Sequence, residues 1–282
     1  MIQPVLSNES FLANVASAPA DTDVFHLWWL GQSGYLIKWG IHHLLIDPYL
    51  SDSLTHKYDG TEKPHVRMTE KVIPPEKLDF IDLVTSSHNH TDHLDHGTLK
   101  PLMEVNPGLT LVVPEANRNF AAERLGIDPE SFVGLDHNLS VELSGIHLTG
   151  IASAHNDLDR DDSGHHPYLG YVIRIGPWSV YHPGDTLLYD GLAERLKEYS
   201  VHLALLPING NDPARGIPGN MDSLEAAGLA KTIGARLVIP NHYEMFEFNS
   251  VSTQQFQAES ERLDQPYRIL KAGERWSSSE LT

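Results

Sequence analysis

A histidine-rich segment, SSHNHTDHLDH at residues 86–96, has the residue types and the spacing of a metal site. It follows an apolar run, and its core reads His88-x-His90-x-Asp92-His93. Side chains at positions i and i+2 near the end of a strand point to the same side, so the first two histidines can share one ion. Asp92 and His93 follow where the chain turns, so they can point at a second position nearby. Imidazole and carboxylate are ligands that suit zinc, manganese or iron.

The alternative is a solvated polar loop, because the chain contains 17 histidines in 282 residues. Three further segments favour the metal interpretation, since each places a metal-competent side chain directly after an apolar run. These side chains are His155 after LTGIASA, Asp185 after WSVYHPG and His242 after RLVIPN. A dinuclear site needs ligands from several strand ends, and the sequence supplies them.

The composition excludes several classes of function. The formal charge is −18, from 20 basic and 38 acidic side chains, and basic clusters that would contact phosphates are missing, which argues against nucleic-acid binding. The absence of cysteine excludes disulfides, thiolate ligands and cysteine nucleophiles. Apolar runs such as LALLPI (203–208) are too short to cross a membrane. We therefore expect a small-molecule substrate, with neither a nucleic acid nor a membrane as partner.

The N-terminal residues predict a short amphipathic helix rather than a signal peptide. APA at 18–20 has the small residues of a cleavage site, but no basic region precedes it and Asn14 interrupts the apolar segment. Together with the lack of cysteine, this favours a cytoplasmic location.

Strand-like and helix-like segments follow one another in two similar blocks. Each block has a meander of glycine-separated strands followed by alternating strands and helices. The predicted strands are 25–31, 34–40, 42–48, 79–87, 109–114, 131–135, 138–143, 146–154, 168–176, 178–184, 202–208, 236–242 and 267–271. The predicted helices are 95–104, 115–126, 188–198, 221–235 and 253–264, and residues 51–75 are expected to form a loop.

Two such blocks predict two sheets packed face to face with helices outside. The expected class is α+β, a four-layer αββα sandwich. We expect one domain over residues 1–282, with residues 1–22 as an N-terminal helical extension.

Several motifs together resemble a known superfamily. SHNHTDHLD, SAH, HPGDT and PNHYEMF occur in this order within residues 86–246 and resemble the metallo-β-lactamase superfamily of metal-dependent hydrolases. WLGQSGYLI and LLIDPYL, within residues 29–50, resemble its first strands and first-motif aspartate. LPINGNDPARGIPGNMDSLEAAGLA (206–230) and IPNHYEMF (239–246) are most similar to the L-ascorbate-6-phosphate lactonase branch. The resemblance extends from about residue 25 to residue 275.

The resemblance implies a site with two divalent metal ions, manganese or zinc, and seven ligands. One ion would be held by His88, His90 and His155, the other by Asp92, His93 and His242, and Asp185 would bridge them. Two such ions activate a water as the nucleophile and polarise the group under attack. Asp92 is expected to orient that water and to accept its proton.

Other residues are assigned supporting roles. Asp47 is expected to hydrogen-bond a ligand histidine and fix its tautomer, although a turn-forming Asp-Pro pair is an equal alternative. His182, Asn209 and Arg215 are candidate substrate contacts. His182 is just as compatible with a structural role inside a strand, and Arg215 is the preferred anion contact if the substrate is a phosphate ester.

The resemblance favours hydrolysis of a small anionic substrate, with a lactone such as L-ascorbate 6-phosphate as the first expectation. The alternative within the superfamily is a phospholipase D-like phosphodiesterase. A metal-binding protein without turnover is disfavoured because all seven ligand positions are present. A di-iron oxidoreductase is disfavoured because no segment is left for a flavin-binding domain. The lactonase branch also leads us to expect a homo-oligomer.

Overall fold

Two stacked β-sheets organise the computed structural model, which describes residues 1–212 and 219–281. The strands in these residues are β1 (Phe25–Gly31), β2 (Gly34–Trp39), β3 (His42–Ile46), β4 (Leu83–Thr85), β5 (Thr110–Pro114), β6 (Phe132–Leu135), β7 (Ser140–Leu143), β8 (Ile146–Ala152), β9 (Leu169–Ile175), β10 (Trp178–His182), β11 (Leu203–Pro207), β12 (Leu237–Asn241) and β13 (Arg275–Ser277). The α-helices are α1 (Asn8–Ser17), α2 (Ser53–Lys57), α3 (His96–Val105), α4 (Arg118–Leu125), α5 (Leu192–Lys197), α6 (Ser223–Ile233) and α7 (Gln254–Arg262).

The strand directions place several strand ends at common edges. The first sheet has the order β13-β1-β2-β3-β4-β5-β6, with β3 to β6 parallel. The second has the order β12-β11-β10-β9-β8-β7, with β10 to β12 parallel. Because β9 is antiparallel to both β8 and β10, β8 runs in the same direction as β10 and β12. The segments that leave β8, β10 and β12 therefore start at one edge of the second sheet.

Alternation along β1 explains why there are four layers. Leu27 and Trp29 belong to the apolar core between the sheets, whereas Trp28 and Leu30 belong to a second core on the outer face of the first sheet. That outer core includes side chains of α1, α3 and α4, and the ring of Phe11 on α1 lies 6.3 Å from that of Trp28. Apolar side chains of α5, α6 and α7 join the core on the second sheet. The observed architecture confirms the predicted αββα sandwich.

Three local predictions differ from the structure. The predicted final strand near 267–271 is wrong, because Tyr267 makes only an isolated bridge and the last strand is β13, which pairs with β1. The helix predicted at 188–198 begins later, since Gly191 adopts a left-handed φ of 92° directly before α5. The loop predicted at 51–75 contains the five-residue helix α2.

The helix predicted at 115–126 ends as expected, with Gly126 in a left-handed conformation at φ 73°. None of the helices in residues 1–212 and 219–281 combines the length and the apolar character needed to span a bilayer.

Candidate metal centre

Seven side chains from both sheets meet at one edge of the sandwich. Four of them follow β4, one follows β8, one follows β10 and one follows β12. They form two groups in which the candidate ligand atoms lie within 4.8 Å of one another. The groups are His88, His90, His155 and Asp185, and Asp92, His93 and His242. The three histidines expected for one ion lie in the first group together with Asp185, the expected bridging residue, and the three residues expected for the other ion form the second group.

The three imidazoles of the first group pack edge to face, with interplanar angles of 64°, 74° and 89°. The ring centroids of His88 and His90 are 4.6 Å apart, and those of His90 and His155 are also 4.6 Å apart. The ring of Tyr168 lies against the same group, 5.1 Å from that of His155. The ligand atoms of the three histidines therefore lie close enough together to share one ion.

The second group lies beside the first. Nε2 of His93 is 3.6 Å from Oδ2 of Asp92, and the rings of His93 and His242 are stacked at 5.8 Å. His242 has a left-handed φ of 64°, and its backbone N–H donates to the carbonyl oxygen of Gln32. This bond fixes the end of β12 against the turn between β1 and β2.

Asp185 lies between the two groups. Its Oδ1 is 2.9 Å from Nε2 of His242 and 3.3 Å from Nε2 of His93, whereas its Oδ2 is 3.8 Å from Nε2 of His155. The preceding Gly184 has φ 64°, and a Cβ there would lie 2.4 Å from Oγ of Ser87. Glycine is therefore required for the turn after β10 to approach the histidine-rich segment closely enough.

Asp47 orients histidines of the cluster through hydrogen bonds. Its Oδ2 accepts a hydrogen bond from Nδ1 of His93 at 2.6 Å, which turns Nε2 of that ring toward the cluster. Its Oδ1 accepts from the backbone N–H of Ser87, and its Oδ2 accepts from the Ser87 hydroxyl. Oγ of Ser87 is also 3.0 Å from Nδ1 of His88. One carboxylate thus orients two histidines, one directly and one through a serine.

Sequence reasoning missed Ser87 and Gln32. Nε2 of Gln32 donates to Oδ2 of Asp92 at 2.9 Å, so the amide holds the carboxylate in place. Ser87 stands directly before the histidine motif, and Gln32 stands in the Gly-Gln-Ser-Gly turn between β1 and β2. Neither position carries a periodicity or ligand signal of its own. Only their placement next to the strand ends could have drawn attention to them.

The electrostatics of the cluster favour neutral imidazoles beside an ionised carboxylate. Burial lowers the pKa of His88 well below its usual value, and it also lowers the pKa of His90 and of His155. Burial alone would raise the pKa of Asp185, but His242 and His93 hold it well below its ordinary value. Uncharged histidines have free lone pairs, and an ionised buried carboxylate requires a positive partner.

Burial also lowers the pKa of His93 on its own, but the carboxylates of Asp185 and Asp92 and the hydrogen bond to Asp47 hold it well above its usual value. A cation is therefore favoured at this position. Either a proton or a metal ion meets that demand.

The cluster fits metal ions because several of its buried polar atoms make no hydrogen bond. In the described part of the chain, Nε2 of His88, Nε2 of His93, Nε2 of His242 and Oδ1 of Asp185 are buried without a hydrogen bond. Buried nitrogen and oxygen atoms are almost always paired in proteins, so such a concentration needs an explanation. Divalent ions bound by imidazole and carboxylate provide one.

A cavity of about 510 Å³ opens onto the cluster. Members of both ligand groups form part of its walls. The other lining residues include the cationic and aromatic side chains of Lys57, Tyr58, Lys63, Phe120, Arg124 and Phe248. Nη1 of Arg124 donates to the carbonyl oxygens of Asn89 and Leu94 at 2.7 and 3.0 Å, so this arginine also clamps the histidine-rich segment. The cavity brings a small molecule within reach of Asp92 and the histidines.

The three candidate substrate contacts have different positions relative to the cavity. Asn209 lines the cavity, and its Nδ2 donates to Asn249. His182 lies within β10, where its Nε2 donates to the carbonyl oxygen of Ser33 and its Nδ1 accepts from the backbone N–H of Gly184. Both of its nitrogens therefore serve the backbone, and it does not line the cavity. Arg215 lies outside the described residues.

Asp95 and His96 begin the next helix rather than joining the cluster. Asp95 is the N-cap of α3, and its side chain accepts from the backbone N–H of Gly97, from Thr98 and from Ser53. His96 is exposed. The rigid cap fixes the point at which the histidine-rich segment ends.

Comparison with known proteins agrees with this geometry. The family described as Beta-lactamase superfamily domain matches residues 42–243, a range that contains all seven cluster residues. A UPF0173 metal-dependent hydrolase of Opitutus terrae is 30% identical over 251 residues, covering 88% of this chain and 97% of the relative. A second UPF0173 metal-dependent hydrolase, from Methanoregula boonei, is 30% identical over an alignment that covers 84% of this chain and 90% of the relative.

Among solved structures, Igni18, a metallo hydrolase from Ignicoccus hospitalis, is similar with a TM-score of 0.65 and 21% identity, covering 90% of this chain and 98% of that one. At this identity the similarity supports the fold alone. The two sequence relatives support a family assignment, because they align with this chain over nearly their whole length and both are named metal-dependent hydrolases of the UPF0173 family. The chain therefore belongs to the metallo-β-lactamase superfamily and, within it, to the UPF0173 family of metal-dependent hydrolases.

Proposed function

We propose that this metal-dependent hydrolase works with two divalent ions, manganese or zinc, one in each group of the cluster. The observation that carries this proposal is the position of Asp185, whose two carboxylate oxygens face different groups. A carboxylate placed in this way can bridge two ions, whereas a single-ion site needs only one of its oxygens. The unpartnered histidine nitrogens in both groups support the same stoichiometry.

Bound ions would supply Lewis acidity toward the substrate oxygen and an ionised water at neutral pH. The chain's own part is to place the proton acceptor and to keep it ionised. Burial alone raises the pKa of Asp92, but His93, His242 and Gln32 hold it below its usual value, so the carboxylate is ionised and able to take a proton. Its side chain is 16% exposed, toward the cavity, and is therefore accessible to substrate.

The substrate proposed is a small anion with a lactone ring, of which L-ascorbate 6-phosphate is the example to test first. Lys57, Lys63 and Arg124 line the cavity of a chain whose net charge is −18, so positive charge is concentrated where the substrate enters. The 206–246 segment, which resembles the lactonase branch, supplies Asn209, Asn220 and His242 to the cavity walls. Those walls suit an anionic group at the rim and a carbonyl near Asp92.

The test combines metal analysis with a substrate panel. Protein purified without chelator is expected to contain about two divalent ions per chain and to hydrolyse one or more phosphorylated lactones faster than phosphodiesters. Asp185→Asn is expected to lose metal and activity together, while the exposed Asp162→Asn, a matched control, keeps both.

Each part of the proposal can fail separately. Unchanged metal content and turnover in Asp185→Asn would refute the bridging role. A stoichiometry of one ion per chain would refute the dinuclear site, and hydrolysis of diesters without hydrolysis of lactones would refute the substrate class.

A further inference from the structure

A second cavity lies away from the metal centre. It has a volume of about 380 Å³, and its lining shares no residue with the cavity that opens onto the cluster. Four basic or potentially basic side chains line it, namely His137, Arg160, His166 and Arg195. They come from three separate segments: the one between β6 and β7, the one between β8 and β9, and helix α5. Such convergence in a chain of net charge −18 calls for a ligand of opposite sign.

The two histidines are held in fixed orientations. Nδ1 of His166 donates to Oδ1 of Asp136 at 2.9 Å, and Nδ1 of His137 accepts from the backbone N–H of Ala152 at 3.0 Å. The proton of neutral His137 is therefore on Nε2, which makes that atom a donor. The ring centroids of the two histidines are 5.4 Å apart, and His166 is only 5% exposed. The histidines thus form a preorganised pair on one wall.

The two arginines keep donors to spare. Nη1 of Arg160 donates to the carbonyl oxygen of Gly164, and Nη1 of Arg195 donates to Glu198. A guanidinium group has five N–H donors in a planar fork, so each arginine can also bind an anion.

The carboxylates nearby are engaged in hydrogen bonds of their own and leave N–H donors of the arginines available. Asp136 already accepts from two backbone N–H groups and from His166, and Asp161 accepts from the backbone N–H groups of Ser163 and His165. Asp190 lines the cavity and offsets one of the two guanidinium charges. Asp190 and Glu198 therefore offset the guanidinium charges, and the site would bind an anion through its directed N–H donors rather than through a net positive charge.

A metal ion is a poor occupant. Among residues 1–212 and 219–281, His137 and His166 are not part of any group of three metal-competent atoms close enough to hold an ion. Guanidinium groups repel cations. The donors instead match the oxygens of a phosphate group, which guanidinium and imidazole N–H groups bind by charge-assisted hydrogen bonds.

We propose that this cavity, which we call the second-sheet cavity, binds a phosphate group through the N–H donors of His137, Arg160 and Arg195, beside the ring of His166. The remaining wall is less polar, with Leu158 and the ring of Tyr189, and leaves room for the organic part of a phosphate monoester. A bound phosphate would hold residues 160–166 against α5. That segment starts five residues after His155 and ends two residues before Tyr168. The ligand would therefore also restrict the motion of the chain between these two residues of the first metal group and its surroundings.

The test is a titration of the protein loaded with zinc, a diamagnetic ion, followed by amide NMR. Inorganic phosphate is expected to shift the amide resonance of Ala152 and those of residues 160–166 with one saturable curve, at constant ionic strength. Arg160→Gln and Arg195→Gln are each expected to weaken this binding about tenfold or more, since each removes a charge-assisted bond. The matched control is Arg262→Gln, because Arg262 likewise pairs with a glutamate one helical turn away, Glu259.

Three results would overturn the proposal: shifts that are the same with potassium chloride, shifts confined to residues of the metal centre, or binding unchanged in both arginine variants. Thermal unfolding of each variant checks that it is folded, and Arg195→Lys should keep an intermediate affinity because it retains the charge. Ribose 5-phosphate is titrated in parallel. Tighter binding than inorganic phosphate identifies a monoester as the ligand, and equal or weaker binding identifies free phosphate.

Discussion

Oδ2 of Asp47 accepts a hydrogen bond from Nδ1 of His93 at 2.6 Å, and both side chains are completely buried. The same carboxylate binds Ser87, whose hydroxyl lies 3.0 Å from Nδ1 of His88. One buried carboxylate thus determines the ring orientation of a histidine in each group of the cluster. Such outer partners of metal-binding histidines set the affinity of a site as much as its geometry.

Asp47→Asn is expected to weaken metal binding about 10- to 100-fold, the usual effect of losing such a partner. The amide is uncharged and cannot accept from His93 and Ser87 as strongly as the carboxylate does. Competition with a chromophoric chelator measures the affinity. The exposed Asp23→Asn is the control, and equal affinities in the two variants would contradict the supporting role of Asp47.

Gln32→Ala is expected to lower kcat about 10- to 100-fold with unchanged metal content. The substitution removes the hydrogen bond to Asp92, and a bond to a charged group contributes about 1.5–3 kcal/mol. Steady-state kinetics and metal analysis on the same preparation separate the two effects. Gln255→Ala, on the exposed face of α7, should match the unsubstituted protein. A loss of metal in Gln32→Ala would show that the glutamine acts on binding rather than on the proton acceptor.

Lys57→Gln is expected to raise KM for an anionic substrate up to about fivefold and to leave kcat unchanged, because an exposed charge contributes at most about 1 kcal/mol. The effect should disappear at high salt, where exposed charges are screened. Initial rates at low and high ionic strength test this. Lys100→Gln, on the exposed side of α3, controls for net charge. A KM that does not respond to Lys57→Gln at low salt would remove Lys57 from the substrate path.

The free energy of unfolding is expected to fall as the pH decreases from 6.5 toward 4. Burial and the neighbouring Arg275 lower the pKa of His26 from 6.5 to about 4. In this range the unfolded chain binds a proton that the folded chain does not, so acid favours unfolding, and the loss is complete near pH 4.

Urea unfolding at pH 7 and pH 5 measures this dependence. His26→Gln should show a smaller loss between the two pH values than the unsubstituted protein with the same metal loading. Equal losses in the two proteins would show that His26 does not contribute.

The positions of the clustered residues could be predicted because the rule that places them is local. Each lies just after an apolar run, and parallel strand ends share an edge, so His155, Asp185 and His242 had to meet. The αββα layers followed from the same runs. Strand alternation then decided which residues face the other sheet and which face the helices.

The remaining features depend on contacts between distant segments. Ser87 and Gln32 matter through hydrogen bonds across the edge of the sheets, which the residue types alone do not reveal. The last strand was misplaced because 267–271 is apolar enough for a strand, yet the strand that pairs with the free edge of β1 is β13, beyond the turn at Gly273. The second-sheet cavity combines three segments that have no common motif.

The cluster draws four side chains from the segment after β4 and three from segments leaving the second sheet. Ions held there would cross-link parts of the chain that are far apart in sequence, and a ligand that binds only the folded state adds its binding energy to stability. Metal supply should therefore govern how long the protein survives proteolysis as well as how fast it works. Cells short of metal would hold fewer intact molecules, not only slower ones.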